Sequence, residues 1–337
     1  MSGEPAVARR SGTGWKLALR LVVSAVFLAV LVNRVPGLAD SIPSRHPLHT
    51  ALLLVAAVLT ILAGIVLSAW RWQQVLAVFD AQVPLRTLTG HYLAGQFVGN
   101  VLPSTIGGDV LRVTRCAKTI DSTTTAFASV VLERLSGMIA LPLLVVVGFA
   151  LRPSLFHVAH AWVALFTAGV TLGALGLILV AAGHPGLGGR YASNENWTRF
   201  IGAVFHGVDQ ARREPSQMLR VLGTALVYQL SIVLSYLLIF HALDRSVPVA
   251  ATIAFIPAVS MLQVLPISFN GLGVRESALV LFRHGFGISA GAAGAAGLLW
   301  YGSLVIVSML GAPFVVVGHR GPKAIARDAS QSSIEPA

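Results

Sequence analysis

Two adjacent charged residues interrupt a long apolar segment of this sequence. Glu133 and Arg134 follow the start of the apolar segment 124–150, and they lie roughly 14 Å along it if it forms a helix. Unpaired charges at that depth in a bilayer cost several kcal/mol, so such residues mark a functional site or an ion pair. Two interpretations stay open for Glu133: a site residue, or a structural carboxylate that holds Arg112 or Arg275 in place.

The helix that carries this pair has a small, polar face on which another backbone can pack closely. That face consists of Ser129, Glu133, Ser136, Gly137 and Ala140.

Two other segments share a pattern that suits the binding of an anion. The first reads NVLPSTIGGDVLR over residues 100–112, and the second reads QVLPISFNGLGVRE over residues 263–276. Both contain Val-Leu-Pro, a short polar stretch with serine, two glycines, and then valine and arginine. Pro266 follows Pro103 by 163 residues, which is close to half of the 337-residue chain. The pattern therefore indicates an internal repeat.

The residue types in these segments favour a phosphate-bearing head group. A guanidinium binds two phosphate oxygens at once, and glycines allow backbone N–H groups to approach the same anion. The predicted head-group ligands are Arg112, Arg134, Arg275, Asn100, Ser104 and Asn270. Their predicted charge partners are Asp109, Glu133 and Glu276, and the predicted hairpin-turn residues are Pro103, Gly107, Gly108, Pro266, Gly271 and Gly273. In the alternative interpretation, Asp109 with Arg112 and Arg275 with Glu276 only pin the two turns.

Composition assigns the chain to a membrane. Hydrophobic residues make up 55% of it and charged residues only 11%, whereas soluble proteins carry about 25% charged residues. The net charge of +11 is interpreted as cations at the ends of membrane spans, which argues against nucleic acid as a partner. The single cysteine, Cys116, excludes an intrachain disulfide. We expect no metal site and no cofactor, because the pair His157 and His160 has no further ligand nearby.

The hydrophobic pattern predicts an all-α, polytopic integral membrane protein with about six full transmembrane helices and two re-entrant hairpins. The predicted transmembrane domain is 15–318, between a cytoplasmic tail at 1–14 and a polar, disordered cytoplasmic tail at 319–337. The predicted spans are about 17–35, 50–69, 124–150, 158–182, 219–241 and 294–317, each near the length that a bilayer needs. The hairpins are predicted at about 88–120 and 249–290. The segment at about 195–217 is interpreted as an interfacial amphipathic helix, with a simple connector as the open alternative. The first span is interpreted as a retained helix rather than a cleaved signal peptide.

The positive-inside rule supports this arrangement. If 88–120 enters and leaves on the cytoplasmic side, sixteen cations fall inside and four fall in outer loops, with both termini cytoplasmic. The segment 249–290 then enters from the outside; two full spans would also satisfy the count, but Arg275, Glu276 and Arg283 argue against them. Two hairpins of opposite polarity form an inverted repeat. Broken helices of this kind recur in transporters, where they hold polar groups of the substrate.

Three segments carry a resemblance to a known family. NVLPSTIGGDVLR (100–112), VVLERLSG (130–137) and SFNGLGVRES (268–277) resemble the transmembrane domain of the lysylphosphatidylglycerol synthase family, also called the flippase-like domain family. The resemblance covers about residues 15–318. In the founding members this domain flips an aminoacylated phospholipid that a separate cytoplasmic domain synthesises. The short tail after residue 318 leads us to expect a stand-alone member without that synthetic domain.

The resemblance implies a lipid flippase or lipid-transport protein in the bacterial cytoplasmic membrane, which moves an anionic or phosphate-bearing lipid between leaflets. Its partner is expected to be a phospholipid or a polyprenyl-linked lipid. Two alternatives stay open: a lipid-modifying enzyme similar to polyprenyl-phosphate glycosyltransferases, and a non-transporting partner of a lipid synthase. No P-loop, HExxH or nucleophile-elbow motif occurs in the sequence. We therefore expect no catalytic residues.

Overall fold

The structure, a computed structural model, describes residues 47–101, 107–183, 205, 209, 214–264 and 271–317. In these ranges all the regular structure is helical. The helices are α1 (Pro47–Val78), α2 (Leu85–Val101), α3 (Gly107–Ile120), α4 (Thr123–Leu151), α5 (Ala161–Gly183), α6 (Pro215–Ala242), α7 (Val249–Gln263), α8 (Val274–Leu281), α9 (Arg283–Phe286), α10 (Ala290–Met309) and α11 (Ala312–Val317), with a short 3-10 helix at Pro153–His157. Five of them, α1, α4, α5, α6 and α10, are long and apolar enough to cross a membrane. The chain is an all-α, multi-pass membrane protein.

Local signals in the sequence set several helix ends. The Ser122 hydroxyl accepts a hydrogen bond from the Thr125 backbone N–H at 3.2 Å and caps the start of α4. Ser289 caps α10 in the same way, through the N–H of Ala292 at 3.2 Å. A serine in this position satisfies one of the backbone donors that the first helical turn leaves without a partner. Helices α4 and α10 therefore each begin directly after a serine that caps them.

The observed helices differ from the predicted spans in three places. Helix α1 continues to Val78, beyond the predicted end at 69, because the charge of Arg71 is paired inside the bundle. Residues 215–217, predicted as the end of an interfacial helix, instead begin the long helix α6. The predicted span 294–317 is two helices, since α10 ends at Met309 and α11 starts at Ala312.

Several predictions concern residues outside the described ranges. They are the first span at 17–35, the tails at 1–14 and 319–337, most of the interfacial helix at 195–217, the turn residues Pro103 and Pro266, and the head-group ligands Ser104 and Asn270.

The centre of the bundle is the contact between α1 and α6. A side chain at Gly64 would meet the Ser231 hydroxyl at 3.0 Å, so the small residue lets the two helices approach closely. Around them lies an aromatic core in which the rings of Phe255 and Phe282 stack with centroids 4.9 Å apart. Phe149 meets Phe255 edge-on at 5.8 Å. This packing makes α7, which carries Phe255, a central element of the fold.

The two predicted hairpins pack reciprocally. Helix α2 pairs with α3, and α7 pairs with α8. Helix α7 also packs on α4, the helix that follows the first hairpin, while α2 packs on α10, the long helix that follows the second. This reciprocal packing, in which each hairpin contacts the long helix that follows the other, agrees with the repeat that the sequence indicates. The depth of each hairpin in the membrane and the inverted orientation of the halves stay predictions.

Candidate functional site

An open cleft lies between α2, α3 and α4. It has a volume of about 460 Å³ including its mouth. Its lining consists of Tyr92, Gly95, Gln96, Gly99 and Asn100 from α2, Gly108, Asp109 and Arg112 from α3, and Arg134 from α4. Asn100 and Arg112 from the first repeated segment and Arg134 from α4 therefore line one cavity. Their contact with a lipid head group stays a prediction.

The floor of the cleft depends on a contact between two glycines. A side chain at Gly108 would place its Cβ 2.4 Å from the carbonyl oxygen of Gly95, and no side-chain movement relieves a clash with backbone. The contact draws the start of α3 against α2. As a result Asp109 and Arg112, in the first turns of α3, are held at the cleft wall. Whether the backbone of Gly107 and Gly108 also meets a phosphate stays a prediction.

An ion pair crosses the mouth of the cleft. Arg134 Nη2 lies 2.6 Å from Asp109 Oδ2, and the side chains are 59% and 22% exposed respectively. The other carboxylate oxygen of Asp109, Oδ1, accepts a hydrogen bond from Arg112 Nη1 at 3.2 Å. Asp109 thus joins an exposed guanidinium to a buried one.

Arg112 is buried behind this pair. Its guanidinium lies between two aromatic rings, 4.5 Å from the centroid of Trp72 and 4.1 Å from that of Tyr92. Such contacts stabilise a desolvated cation. Trp72 is itself held by a hydrogen bond from its indole N–H to the Ser129 hydroxyl at 2.9 Å. The ring that covers the arginine is therefore fixed to the polar face of α4.

Glu133 completes the connection to a third arginine. Its Oε2 accepts a hydrogen bond from Arg112 Nη2 at 3.1 Å, and its Oε1 accepts two from Arg71, one of them from Nε at 3.1 Å. The guanidinium of Arg71 also lies over the ring of Tyr228, 5.2 Å from its centroid. Gly137 leaves the room for it, since a Cβ there would lie 3.2 Å from Arg71 Nη1. Of the two interpretations of Glu133, the geometry is that of a buried carboxylate holding Arg112.

We call the five residues Arg134, Asp109, Arg112, Glu133 and Arg71 the charge cluster. They form one continuous chain of ion pairs from the cleft mouth to the interior of the bundle. Sequence reasoning missed Arg71, which it counted among the cytoplasmic cations. The available signal was the apolar pattern that continues past it, with Trp72, Val75 and Leu76 all buried on α1.

The second repeated segment builds a different arrangement. Arg275 is 2% exposed, and its Nε donates a hydrogen bond to Gln263 Oε1 at 3.0 Å. Its Nη1 lies 3.7 Å from Glu276 Oε1, and its guanidinium lies 4.7 Å from the centroid of the Trp300 ring. These contacts tie the end of α7, the start of α8 and α10 together. They match the alternative interpretation, in which Arg275 and Glu276 pin the turn.

The glycines of this turn have the backbone geometry that only glycine adopts easily. Gly271 and Gly273 have φ angles of 75° and 83°, in the left-handed region. The Gly273 N–H donates to Glu276 Oε2 at 2.6 Å and closes the turn onto α8. Gly271 and Gly273 are therefore turn residues, as predicted, and Arg275 does not line the cleft that contains Arg112 and Arg134. The sequence analysis places Arg112, Arg134 and Arg275 at one head group, whereas in the structure Arg112 and Arg134 share a cleft and Arg275 lies outside it.

The comparisons with known proteins place the chain in a family. No curated protein and no solved structure matches it. A family model described as "Lysylphosphatidylglycerol synthase TM region" matches residues 17–311, which includes every element that forms the cleft and the charge cluster. The match confirms the resemblance seen in the three sequence segments. The chain belongs to the lysylphosphatidylglycerol synthase transmembrane family.

Proposed function

We propose that this protein moves a phosphate-bearing lipid between the leaflets of the bacterial cytoplasmic membrane and that the cleft holds its head group. The observation that carries the proposal is the Arg134 guanidinium, which is 59% exposed at the mouth of a cleft in an apolar bundle. A cation kept accessible in such a place is a functional residue by default. The chain belongs to a family of membrane domains associated with lipid translocation, and this membership supports the same activity.

The cleft offers a head group a polar path that the bilayer lacks. A phosphate entering it would accept hydrogen bonds from Arg134, whose fork of donors suits two phosphate oxygens. Gln96 and Asn100 add neutral amide groups on the wall of α2. Gly95 and Gly99 have no side chains that would fill the cleft at this wall, and a side chain at Gly99 would meet nothing within 4 Å. The acyl chains stay in the bilayer while the head group passes between the helices.

The remaining features of the proposal follow from the topology. With both termini in the cytoplasm, the first hairpin opens toward the inner leaflet, and the cleft receives lipid from that side. We propose transport without chemical change of the lipid. Lipid extracts of a deletion strain would then still contain the lipid, whereas the loss of a modified lipid would indicate an enzyme.

Replacing Arg134 with glutamine tests the assignment. The exposed side chain of Arg134 makes the variant compatible with folding, while its loss removes a charge-assisted contact worth about 1.5–3 kcal/mol. We expect lipid movement in reconstituted vesicles to fall by about 10-fold to 100-fold, measured by dithionite quenching of an acyl-labelled phospholipid.

Arg220→Gln is the matched control, because Arg220 is an exposed arginine on the predicted cytoplasmic side and lies outside the cleft. It should transport at the wild-type rate. Equal rates in the Arg134 and Arg220 variants, with both proteins folded, would contradict the placement of the head group.

A further inference from the structure

We propose that α11 is a strap that fastens the first hairpin to the second half of the chain, and that it must release before a lipid passes. Arg115 is the positioning residue through which the strap acts. The first hairpin consists of α2 and α3, the two helices that build one side of the cleft. The release step rests on the proposed function, whereas the fastening is a property of the fold alone.

The strap meets α2 at two glycines. A Cβ at Gly311, the residue before α11, would collide with the carbonyl oxygen of Leu93. A Cβ at Gly90 would lie 2.9 Å from Cδ1 of Phe314, on α11. Leu93 lies two residues before Gly95, whose carbonyl oxygen forms the floor of the cleft. The strap therefore contacts α2 within one helical turn of the cleft.

Arg115 ties α3 to the same short helix. Its Nη1 donates a hydrogen bond to the carbonyl oxygen of Phe314 at 2.8 Å, and its Nη2 donates one to that of Val315 at 3.2 Å. Both carbonyl groups lie near the end of α11, where a helix has no N–H groups of its own to offer them. Arg115 follows Arg112 by about one turn of α3. Its hydrogen bonds therefore act on the helix that carries Arg112 at the cleft wall.

The structure of the strap suits a contact that forms and breaks. Helix α11 has six residues, and helices shorter than about 12–15 residues are marginal without packing partners. Phe314, its main side-chain contact to α2, is still 43% exposed. Leu310 and Gly311 separate α11 from α10, and a short non-helical joint of this kind can absorb the rotation of a hinge.

The strap is anchored in the second half of the chain through α10. Helix α10 packs on α1, α6 and α8. Its Trp300 and Tyr301 rings lie beside the Arg275 guanidinium, with centroids 4.7 Å and 5.3 Å away. One continuous piece of chain thus contacts the second hairpin through these rings and the first hairpin through α11. A shift of α10 would therefore act on both hairpins.

Release follows from where the cleft lies. A head group that passes between the first hairpin and α4 requires these two parts to separate. Helices α2 and α3 stay together, because Gly95 and Gly108 are in backbone contact. The movement is therefore that of the whole hairpin, and the hydrogen bonds of Arg115 to α11 oppose it.

Cys116 provides a natural reporter of this movement. It is the single cysteine of the chain, it follows Arg115 directly, and it is 0% exposed in a cluster with Trp72 and Leu88. In the reconstituted full chain, we expect Arg115→Gln to raise the rate of Cys116 alkylation by N-ethylmaleimide at least about tenfold. Arg115→Lys, which keeps a donor and the charge, should raise it less. Lys118→Gln, which changes an exposed cation of the same helix, should label at the wild-type rate.

A second reporter separates release of the strap from general loosening of the fold. Val259 is 0% exposed in a different core cluster, on α7. In a Cys116→Ala chain, Val259→Cys places a buried thiol there, and Arg115→Gln should leave its alkylation unchanged. Equal increases at both positions would show that Arg115 only stabilises the fold. No increase at Cys116 would overturn the fastening itself.

A reversible disulfide tests the release step. A Cβ at position 90 would lie 3.7 Å from Cγ of Phe314, close to where the sulfur of a cysteine at position 314 would stand, so Gly90→Cys with Phe314→Cys suits a disulfide. In the Cys116→Ala chain, we expect oxidation of this pair to lower lipid movement in vesicles at least about tenfold, and reduction to restore it. Phe314→Cys alone should be insensitive to the same oxidant.

The outcomes distinguish the strap from the proposed function. If the reduced protein and the wild type move no lipid, the proposed function and the release step fail together, and the alkylation of Cys116 still decides whether α11 fastens the hairpin. If the oxidised pair moves lipid as fast as the reduced pair, the proposed function stands. The contact between α11 and the first hairpin is then only a packing contact, and the release step is wrong.

Discussion

Replacing Glu133 with glutamine is expected to lower the free energy of unfolding by about 3–5 kcal/mol, the cost of breaking a buried ion pair from one side. The carboxylate is 1% exposed and accepts hydrogen bonds from both Arg71 and Arg112. A neutral amide leaves Arg71 buried without its counter-charge and leaves Arg112 paired with Asp109 alone, at 3.2 Å. The aromatic rings around Arg112 offset only part of this, because cation–π contacts contribute about 0.5–2 kcal/mol.

Titration of the purified proteins with a denaturing detergent measures the difference in the free energy of unfolding between the wild type and the Glu133→Gln variant. Glu214→Gln is the matched control, since Glu214 is exposed at the start of α6 and its side chain makes no capping hydrogen bond. It should change stability by less than about 0.5 kcal/mol. If Glu133→Gln is as stable as this control, the ion pairs of the cluster are not the buried contacts that the geometry indicates.

A triple replacement separates the structural part of the cluster from its functional part. Glu133→Leu combined with Arg71→Leu and Arg112→Met removes the buried charges together, and such exchanges are often neutral for stability. We expect this variant to regain much of the stability that Glu133→Gln loses. Lipid movement should stay low, because the replacement removes the charges that support Arg134 and Asp109.

Replacing Gly148 with alanine is expected to destabilise the fold by about 3 kcal/mol or more, at or above the usual range for an overpacked core. The new Cβ would lie 2.5 Å from the backbone nitrogen of Ala254 and 2.7 Å from its Cα. Since both are backbone atoms, α4 and α7 would have to separate. The aromatic contact of Phe149 with Phe255 lies at the same crossing and would be lost with it.

The same substitution at Gly173 provides the control. Gly173 lies in α5, and a Cβ there would meet nothing within 4 Å. Alanine should leave the stability unchanged or raise it by up to about 1 kcal/mol, through its higher helix propensity. Thermal unfolding in detergent compares the two proteins. Equal melting temperatures would mean that α4 and α7 are not in the close contact described.

Close helix contacts at two glycines, one of them far from the cleft, fix the positions of the helices that carry the charge cluster. Gly148 sets the position of α4 against α7, and Glu133 and Arg134 lie on α4 about four helical turns before Gly148. Gly108 sets α3 against α2 at the cleft itself. Both contacts put backbone against backbone, which side-chain rearrangement cannot adjust. The geometry of the charge cluster is therefore a consequence of helix packing.

Much of the candidate site was predictable from local sequence. The charged pair Glu133 and Arg134 stands out in an apolar helix, and the pattern around Asp109 and Arg112 marks the first hairpin. These residues meet in the structure because their helices are neighbours in the chain. The separation of Arg275 from them was not predictable, because the similarity of two segments does not say whether they face one cavity. The structure engages Arg275 with Gln263 and Trp300 instead.

The class of protein, its helical architecture and its family were all predictable from the amino-acid sequence. These depend on composition, hydrophobic runs and short motifs, all of which are local properties of the chain. The role of Arg71 became visible only in the folded chain, because its partner Glu133 lies 62 residues away. Its position near a helix end suggested a solvated cation, and only the packing of α1 against α4 turns it into a buried one. Pairing between distant charges depends on which helices pack together, and no local pattern in the sequence encodes that.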